Sequence, residues 1–463
     1  ASFESRFGDT IAILHSNLTP KQRRIQWNRI YHGTARLIMG PRSAIFSPFQ
    51  SLGAIMIDEE HDQSYKQDTH PRYHTHSVAE YLAQIHQAKL IYASATPSLD
   101  TYFNCKKQDN VFTLQHRVNR QPLPPIRVID QTSPHFKGHY ITPPLLEAME
   151  EEIGKGHKVL LLMNRRGYAP YIECQRCKKI VCCPECQLGM TFHYTQTIVC
   201  HRCHIKQPYN GRCPSCQSAM LKMGGLAIQK IEFECLKHFP NASIIRLDKD
   251  TGKTLKQTEA ILDTFKESGD ILIGTQMVAK GHHIDSITLV GILGIDSSLH
   301  LPDFRAPERA FQLITQVAGR AGRGEKGGRV MVQTSQPDHY AIEAGSQHDF
   351  HAFYEMEMEN RQVLDYPPLS RLIVVIFSDL NPSTVKKSAT LYYNELLEQI
   401  PKTLHVDVYP PDPAPIEKVR NYYRYQILLK VQDDYDPLKD IVKAIKIPTQ
   451  SRVIVDVEPQ ALL

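Results

Sequence analysis

The chain has 463 residues, of which 41% are hydrophobic and 22% charged, with a formal net charge of +5. This is an ordinary globular balance that buries full cores in roughly three domains of about 150 residues each, and its mild charge excludes a global field for a polyanion, so such a partner meets local patches. No apolar run approaches the roughly 20 residues needed to span a bilayer, and the opening ASFESRFGDT lacks the basic start and apolar core of a signal peptide.

A cytoplasmic protein is therefore expected, and its eleven cysteines then point to metal binding rather than disulfides. The first ~120 residues alternate apolar runs with polar helical stretches. IAILHS (11–16), ARLIMG (35–40), LGAIMID (52–58) and AKLIYASATP (88–97) each read as a buried parallel strand followed by a loop. A helix over Thr19–His32 opens with Thr19 as N-cap and Pro20 in the first turn. The βαβα layout predicts a parallel sheet. RQPLPPIRVIDQ breaks the pattern with three prolines and reads as an inter-domain connector.

A second α/β unit follows with a helix (about 143–155) and the strand KVLLLMN (158–164), and is then interrupted by a cysteine-rich stretch, 174–216. It resumes with a helix near 226–239, strands SIIRLD, DILIGT and ITLVGILGID, a helix of about 305–318 and the strand GRVMVQT. Beyond DYPPLS (365–370), strand RLIVVIFS, a helix of about 382–399, strands HVDVYP and YRYQILLK, a helix near 436–446 and strand RVIVDV form the βαββαβ order of a ferredoxin-like domain.

Four Cys-x-x-Cys pairs stand inside the interruption: Cys174/Cys177, Cys183/Cys186, Cys200/Cys203 and Cys213/Cys216. Each pair offers two thiolates with the bite that tetrahedral Zn²⁺ takes, and two pairs close a structural site, so two zinc ions are expected. Three pairings are possible, and spacing does not choose among them. Cys182 lacks the spacing of a ligand, His193, His201 and His204 read as solvated, and Cys105 and Cys235 read as buried small hydrophobes.

Asp58, Glu59, Glu60 and His61 end an apolar strand, as carboxylates that hold Mg²⁺ and orient a water do. GTQMVAKGHHI (274–284) places Thr275, Gln276, Lys280 and Gly281 after a strand, and QVAGRAGRGEKGG (316–328) places Gln316, Arg320 and Arg323 near a helix end. Two arginines three apart share one helical face, and their planar forks suit phosphate oxygens. The one Gly-Lys-Thr, Gly252-Lys253-Thr254, has Leu247 at the earlier glycine position and three charges (Asp248, Lys249, Asp250) in the would-be loop, so it is not a phosphate loop.

DEEH, SATPS (94–98), GTQMVAKG and QVAGRAGR together resemble the superfamily 2 helicases. GPRSAIFSPF, IDEEHDQSYKQ, PRYH, NRRGYAP (164–170), DFRAPERAFQLITQVAGRAGR and the eight-cysteine module carry a closer, essentially end-to-end resemblance to the PriA family, the primosomal protein N′ replication-restart helicases. That resemblance implies a fold of class α/β. Two RecA-like parallel-sheet helicase lobes, the first truncated, are joined by a two-zinc module inserted in lobe two and a C-terminal α+β ferredoxin-like domain. The expected boundaries are 1–120 for the remainder of lobe one, 121–172 for the connector and start of lobe two, and 173–222 for the zinc module. Residues 223–360 then complete lobe two, and 361–463 form the C-terminal domain.

The resemblance further implies an ATP-dependent 3′-to-5′ DNA helicase acting at stalled forks and D-loops, in the bacterial cytoplasm. Its implied partners are forked and single-stranded DNA, primosome proteins, single-stranded DNA-binding protein and the replicative-helicase loading machinery; no membrane is involved. One zinc ion is then held by Cys174, Cys177, Cys213 and Cys216, the other by Cys183, Cys186, Cys200 and Cys203. Asp58 holds Mg²⁺ through water, Glu59 polarises the attacking water, and Arg320 and Arg323 reach ATP from lobe two. Gln316, Gly281 and His61 are the remaining nucleotide-side candidates. Arg42 and Lys280 are candidate DNA-backbone contacts, and Tyr65 and Tyr73, in the aromatic-rich SYKQDTHPRYH (64–74), are candidates to stack on bases. THS (75–77) departs from the arginine and acid expected after that loop. Lys418, Arg420 and Arg424, interleaved with Tyr422, Tyr423 and Tyr425, form a second candidate nucleic-acid strip. The family's phosphate loop is expected upstream of Ala1, so this chain alone is expected not to hydrolyse ATP. The alternative is a non-catalytic zinc-bearing DNA or primosome scaffold.

Overall fold

The computed structural model describes residues 2–114, 122–136, 139–163, 172–177, 179–184, 189–193, 197–200, 205–223, 228–248, 251–252, 254–275, 286–321, 327–432, 436–446 and 451–462. The chain divides into two compact units, Ala1–Gln108 and Asp109–Leu463.

In the first unit a short helix α1 (Ser2–Phe7) precedes strand β1 (Ile11–Ile13) and helix α2 (Pro20–Tyr31). Thr19 and Gln22 exchange side-chain and main-chain hydrogen bonds in a capping box, with Pro20 at N1, so α2 starts where its sequence signals place it. β1 pairs in parallel with β2 (Leu37–Met39), and β3 (Ala54–Asp58) pairs in parallel with β6 (Lys89–Ala93). Between β3 and β6 lie the two-residue strands β4 (Lys66–Gln67) and β5 (Tyr73–His74) and helix α3 (Thr75–His86); α4 (Leu99–Lys107) closes the unit.

These strands are not buried on both faces as expected. Along β3, Ile55 and Ile57 point into a cluster with Ile45 and Ala79, while Met56 stays 68% exposed beside its cross-strand neighbour Ile91. An apolar run therefore hides a period-two burial here, because only one sheet face packs on α3.

The second unit is built on a six-stranded, wholly parallel sheet in the order β14-β15-β8-β16-β17-β7. Its strands are β7 (Ile126–Asp130), β8 (Lys158–Met163), β14 (Ile244–Leu247), β15 (Ile271–Gly274), β16 (Ile287–Leu293) and β17 (Arg329–Thr334). β15 and β16 are buried at every position, as continuous apolar runs in a covered parallel sheet should be. α5 (Pro143–Gly154) and α6 (Ile228–His238) cover it through Leu145, Met149, Ile228, Ile231 and Cys235. β7 corrects the reading of RQPLPPIRVIDQ as connector alone: once past the prolines, IRVID is free to pair and becomes the sheet's edge strand.

The cysteine stretch contributes β9 (Ile172–Cys174), β10 (Thr191–His193), β11 (Thr197–Val199), β12 (Lys206–Pro208) and β13 (Leu221–Met223). Helices α7 (Leu255–Ser268), α8 (Asp296–Leu299) and α9 (Ala306–Ala318) belong to the sheet's connections. After β17 come α10 (Tyr340–Ser346) and α11 (Phe350–Val363), which the sequence reading left unassigned.

A final antiparallel sheet has the order β19-β21-β18-β22, from β18 (Arg371–Asp379), β19 (Val406–Val408), β21 (Tyr422–Val431) and β22 (Arg452–Val457). α12 (Pro382–Gln399) and α13 (Asp436–Ala444) pack on it through Val385, Tyr392, Leu396, Leu438 and Val442. One strand was not anticipated: β20 (Asp412–Val419) pairs with β21 across Arg420 and Asn421, both at positive φ (49° and 70°) as a two-residue hairpin turn requires.

Candidate functional site

β3 delivers Asp58 to its carboxyl end, and the chain turns at once: Glu59 adopts a left-handed φ of 48°, which a non-glycine residue takes at some cost. The Asp58 side chain accepts the Glu59 N–H at 3.1 Å. The next two side chains part company. Glu60 turns inward, 2% exposed, and accepts from the Ser98 N–H (2.6 Å), the Ser98 hydroxyl (3.0 Å) and the Thr101 hydroxyl (2.9 Å). It is thus a clamp on the N-terminus of α4, where a carboxylate also suits the helix dipole.

His61 Nδ1 lies 2.6 Å from the Ser94 hydroxyl, which accepts the Thr96 N–H, and its Nε2 lies 3.7 Å from the Glu59 carboxylate. A continuous polar chain from Glu59 through His61 to Ser94 and Thr96 joins the acidic turn to SATPS. Asp58 and Glu59 remain exposed, which leaves their carboxylates open to water and a hydrated cation.

The aromatic-rich loop is tied to this turn. Tyr65 donates its hydroxyl to the Asp58 carbonyl at 2.6 Å, and Thr75 donates to the Tyr65 carbonyl at 2.8 Å. Arg42 Nη1 donates to the Ser64 and Lys66 carbonyls at 2.8 and 2.9 Å. Tyr73 sits edge-on against Phe46 at 4.9 Å. His76 lies between Tyr65, Tyr92 and His74, with ring centroids 5.8, 4.8 and 4.6 Å away, and burial brings its pKa down to about 4. Arg42, Asp58, Glu59, His61, Tyr65 and Tyr73 are therefore gathered in one unit. The sequence reading missed the roles of Glu60, Ser94 and Ser98; the available signal was SLDT (98–101), an N-cap serine opening a helix.

Gln316 and Arg320 lie in the other unit, at the far end of α9. The helix stops at Ala318, and Arg320 follows in a turn closed by Arg320 N–H to Val317 O and Ala321 N–H to Ala318 O. Arg320 thus lies beyond the end of the helix rather than on its face, and Arg323, the other half of that expectation, lies outside the described residues. Cys186, His201, Cys203, His204, Lys253, Gln276, Lys280, Gly281 and Arg323 lie outside the described residues. Thr254 is the N-cap of α7 in a capping box with Gln257, and the Asp248 carboxylate takes the Thr251 N–H in the preceding loop, where a phosphate would need free N–H groups.

Cys174, Cys177, Cys213 and Cys216 converge with all four sulfurs within 4.8 Å of one another; among the described residues they are the one such group of His, Cys, Asp or Glu. The antiparallel pairing of β9 with β13 brings the two Cys-x-x-Cys turns side by side. The Cys174–Cys216 and Cys177–Cys213 sulfurs stand 3.5 and 3.6 Å apart, near the ~3.8 Å edge of a tetrahedron with metal–sulfur bonds of about 2.3 Å. Burial opposes the thiolate at both Cys174 and Cys177. Main-chain N–H groups of Cys177 and Arg176 outweigh it at Cys174, whose pKa falls to about 7, while Cys177 is pushed up to about 12. A divalent metal replaces such shared protons.

Each of these two turns is closed by the cysteine N–H bonding the carbonyl five residues on, Cys174 to Lys179 and Cys213 to Ser218. Cys200 to Ile205 repeats that closure. Cys183 and Cys200 are fully buried in one small apolar cluster. Cys182 stands apart, 3.7 Å from His300 Nδ1. Cys235 is buried as expected, but Cys105, near the end of α4, is only half-buried.

A model of the helicase conserved C-terminal domain matches residues 219–325, and one of the primosomal protein N C-terminal domain matches 362–460. The chain is 38% identical over 439 residues to the replication restart protein PriA of Bacillus subtilis, covering 93% of this chain and 54% of that protein. For the PriA of Haemophilus influenzae the figures are 36%, 99% and 64%. This chain thus spans little more than half the length of some of its curated relatives. Among solved structures, the helicase MrfA bound to DNA and AMPPNP gives a TM-score of 0.41 at 12% identity, over 76% of this chain and 41% of that one, too low to add to the fold description. To the PriA of Rickettsia typhi the identity is 34%, over 99% of this chain and 71% of that protein, and the chain belongs to the PriA replication-restart family.

Proposed function

We propose that this chain is the greater part of an ATP-dependent 3′-to-5′ DNA helicase that acts at stalled forks and D-loops to restart replication in the bacterial cytoplasm. Residues 1–120 belong to the first motor lobe, 121–172 and 223–360 to the second, 173–222 to a two-zinc module and 361–463 to a ferredoxin-like domain. The order β19-β21-β18-β22, all antiparallel, supports the last assignment. Among the described residues no helix is long and apolar enough to cross a membrane.

The observation that carries the reading is the acidic turn: two open carboxylates, Asp58 and Glu59, wired through His61 to Ser94 and through Tyr65 to the aromatic-rich loop. Mg²⁺ with ATP supplies the phosphoryl group and the charge that draws a water onto it. Asp58 would hold Mg²⁺ through water, and Glu59 would polarise the attacking water. His61 keeps Glu59 in place and links it to SATPS, and Gln316, Arg320, Arg323 and Gly281 serve the nucleotide from the second lobe. Arg42 and Lys280 meet the DNA backbone. Tyr65 and Tyr73 meet its bases, and release of the Tyr65 hydroxyl from the Asp58 carbonyl reports DNA to the acidic turn.

Cys174, Cys177, Cys213 and Cys216 hold one zinc, and Cys183, Cys186, Cys200 and Cys203 the other; the repeated turn closure at Cys200 supports the second site. Both are four-sulfur, closed and structural. The partners are forked and single-stranded DNA, single-stranded DNA-binding protein, primosome proteins and the loading machinery of the replicative helicase.

The test is strand separation by a form extended upstream to include a phosphate loop, on duplexes with either a 3′ or a 5′ single-stranded arm. Unwinding confined to the 3′-armed duplex is expected; unwinding of the 5′-armed duplex alone reverses the polarity and overturns the reading.

A further inference from the structure

The segment DFRAPERAFQLITQVAGRAGR runs from Asp303 through α9, and its second half holds the residues proposed above to serve the nucleotide. Its first half grips another part of the chain. Asp303, fully buried, takes Arg309 Nη1 at 3.1 Å, the Arg305 N–H at 2.9 Å and the Leu462 N–H at 3.3 Å. Arg305 donates to the Pro459 carbonyl at 3.1 Å and Arg309 to the Gln460 carbonyl. All three gripping contacts go to the main chain of the 459–462 peptide.

That peptide belongs to the C-terminal domain. Leu462 inserts beside Phe304, Tyr366, Leu372, Val374 and Leu428, and the Glu458 N–H bonds the Leu372 carbonyl on β18. On the other side of the helix head, Glu308 pairs at 2.6 Å with Arg361, which is fully buried and also bonds Glu357 and the Pro367 carbonyl. Buried charges held this way tolerate little displacement, because moving one partner leaves the other uncompensated.

We infer that Asp303, Arg305 and Arg309 are positioning residues that make the setting of Gln316 and Arg320 depend on how the C-terminal domain is seated. α9 spans 13 residues, so its two ends lie about 20 Å apart. Ala306, Phe311, Ile314, Val317 and Ala318 are all buried along it, so the helix shifts as a body within a close-packed core rather than bending. A load on the C-terminal domain, such as a DNA strand or a partner protein, is thereby passed to the arginine end. The functional consequence rests on the reading of Gln316 and Arg320 as nucleotide-facing.

Amide hydrogen exchange on the present chain tests the coupling without ATP. In a version ending after Glu458, and independently in Arg309→Met, exchange at 315–321 is expected to rise about tenfold while β8 keeps its rate. Arg309→Lys, which keeps a cation near Asp303, is expected to recover most of the protection. If exchange rises at 303–309 alone and 315–321 is unchanged, the grip is local packing and the inference fails. Should ending the chain after Glu458 also loosen α12, Arg309→Met, which leaves Leu462 in place, decides by the same criterion. A failed nucleotide assignment would show instead as Arg320→Ala leaving ATP hydrolysis intact in the extended form, with the exchange coupling unaffected.

Discussion

Position 76 shows how much one side chain decides. The aromatic-rich loop is followed by Thr75, His76 and Ser77. An imidazole packed among Tyr65, His74 and Tyr92 is held neutral, with its pKa down at about 4 through burial. The folded form therefore refuses a proton that the unfolded chain accepts below about 6.5. Stability from this site is complete above pH 6.5 and is lost as pH falls toward 4, about 3 kcal/mol at most. Trp27, the single tryptophan, sits in the same unit and reports its unfolding. In His76→Gln the urea midpoint read from Trp27 fluorescence should lose most of its decline between pH 7 and 4.5; an unchanged decline would assign it to other groups. Glu60 makes a complementary point. The run DEEH suggests three equivalent acids, yet only two are open, and the third is consumed by Ser98 and Thr101.

Elements were legible where one periodicity ruled. α2 and α12 begin at their cap and proline signals, and the buried runs of β8, β15 and β16 sit where apolar continuity puts them. α11 was not, because FHAFYEMEMENRQV carries charge on its buried side: Glu357 and Arg361 are core residues that pair with each other and with Glu308. Nor was β20, whose pairing depends on a turn at Arg420-Asn421 that lacks glycine. The cysteine turns were legible in number but spacing did not give their partners, since it allows three pairings; the β9–β13 ribbon is what brings Cys174 and Cys177 beside Cys213 and Cys216. Atomic absorption on the purified chain should find two zinc ions, and Cys174→Ser should leave one. Two ions in that variant would remove Cys174 from the ligand set.

At the scale of the whole molecule, the residues proposed to serve the nucleotide fall in both units. The acidic turn and its aromatic loop lie in Ala1–Gln108, and Gln316 and Arg320 in Asp109–Leu463. In the sequence two α/β runs flank the proline-rich break; the wiring inside each unit was invisible, because hydrogen bonds such as Tyr65 to Asp58 depend on how a loop folds back. We propose ATP-driven motion on DNA for the whole protein. Its most direct test is ATP hydrolysis stimulated by single-stranded DNA, measured on this chain, on a form extended upstream to include a phosphate loop, and on that form with Glu59→Gln. Turnover in the extended form alone, lowered at least a hundredfold by Glu59→Gln, is the expected result. Turnover by the 463-residue chain itself, or an extended form indifferent to Glu59, would contradict it.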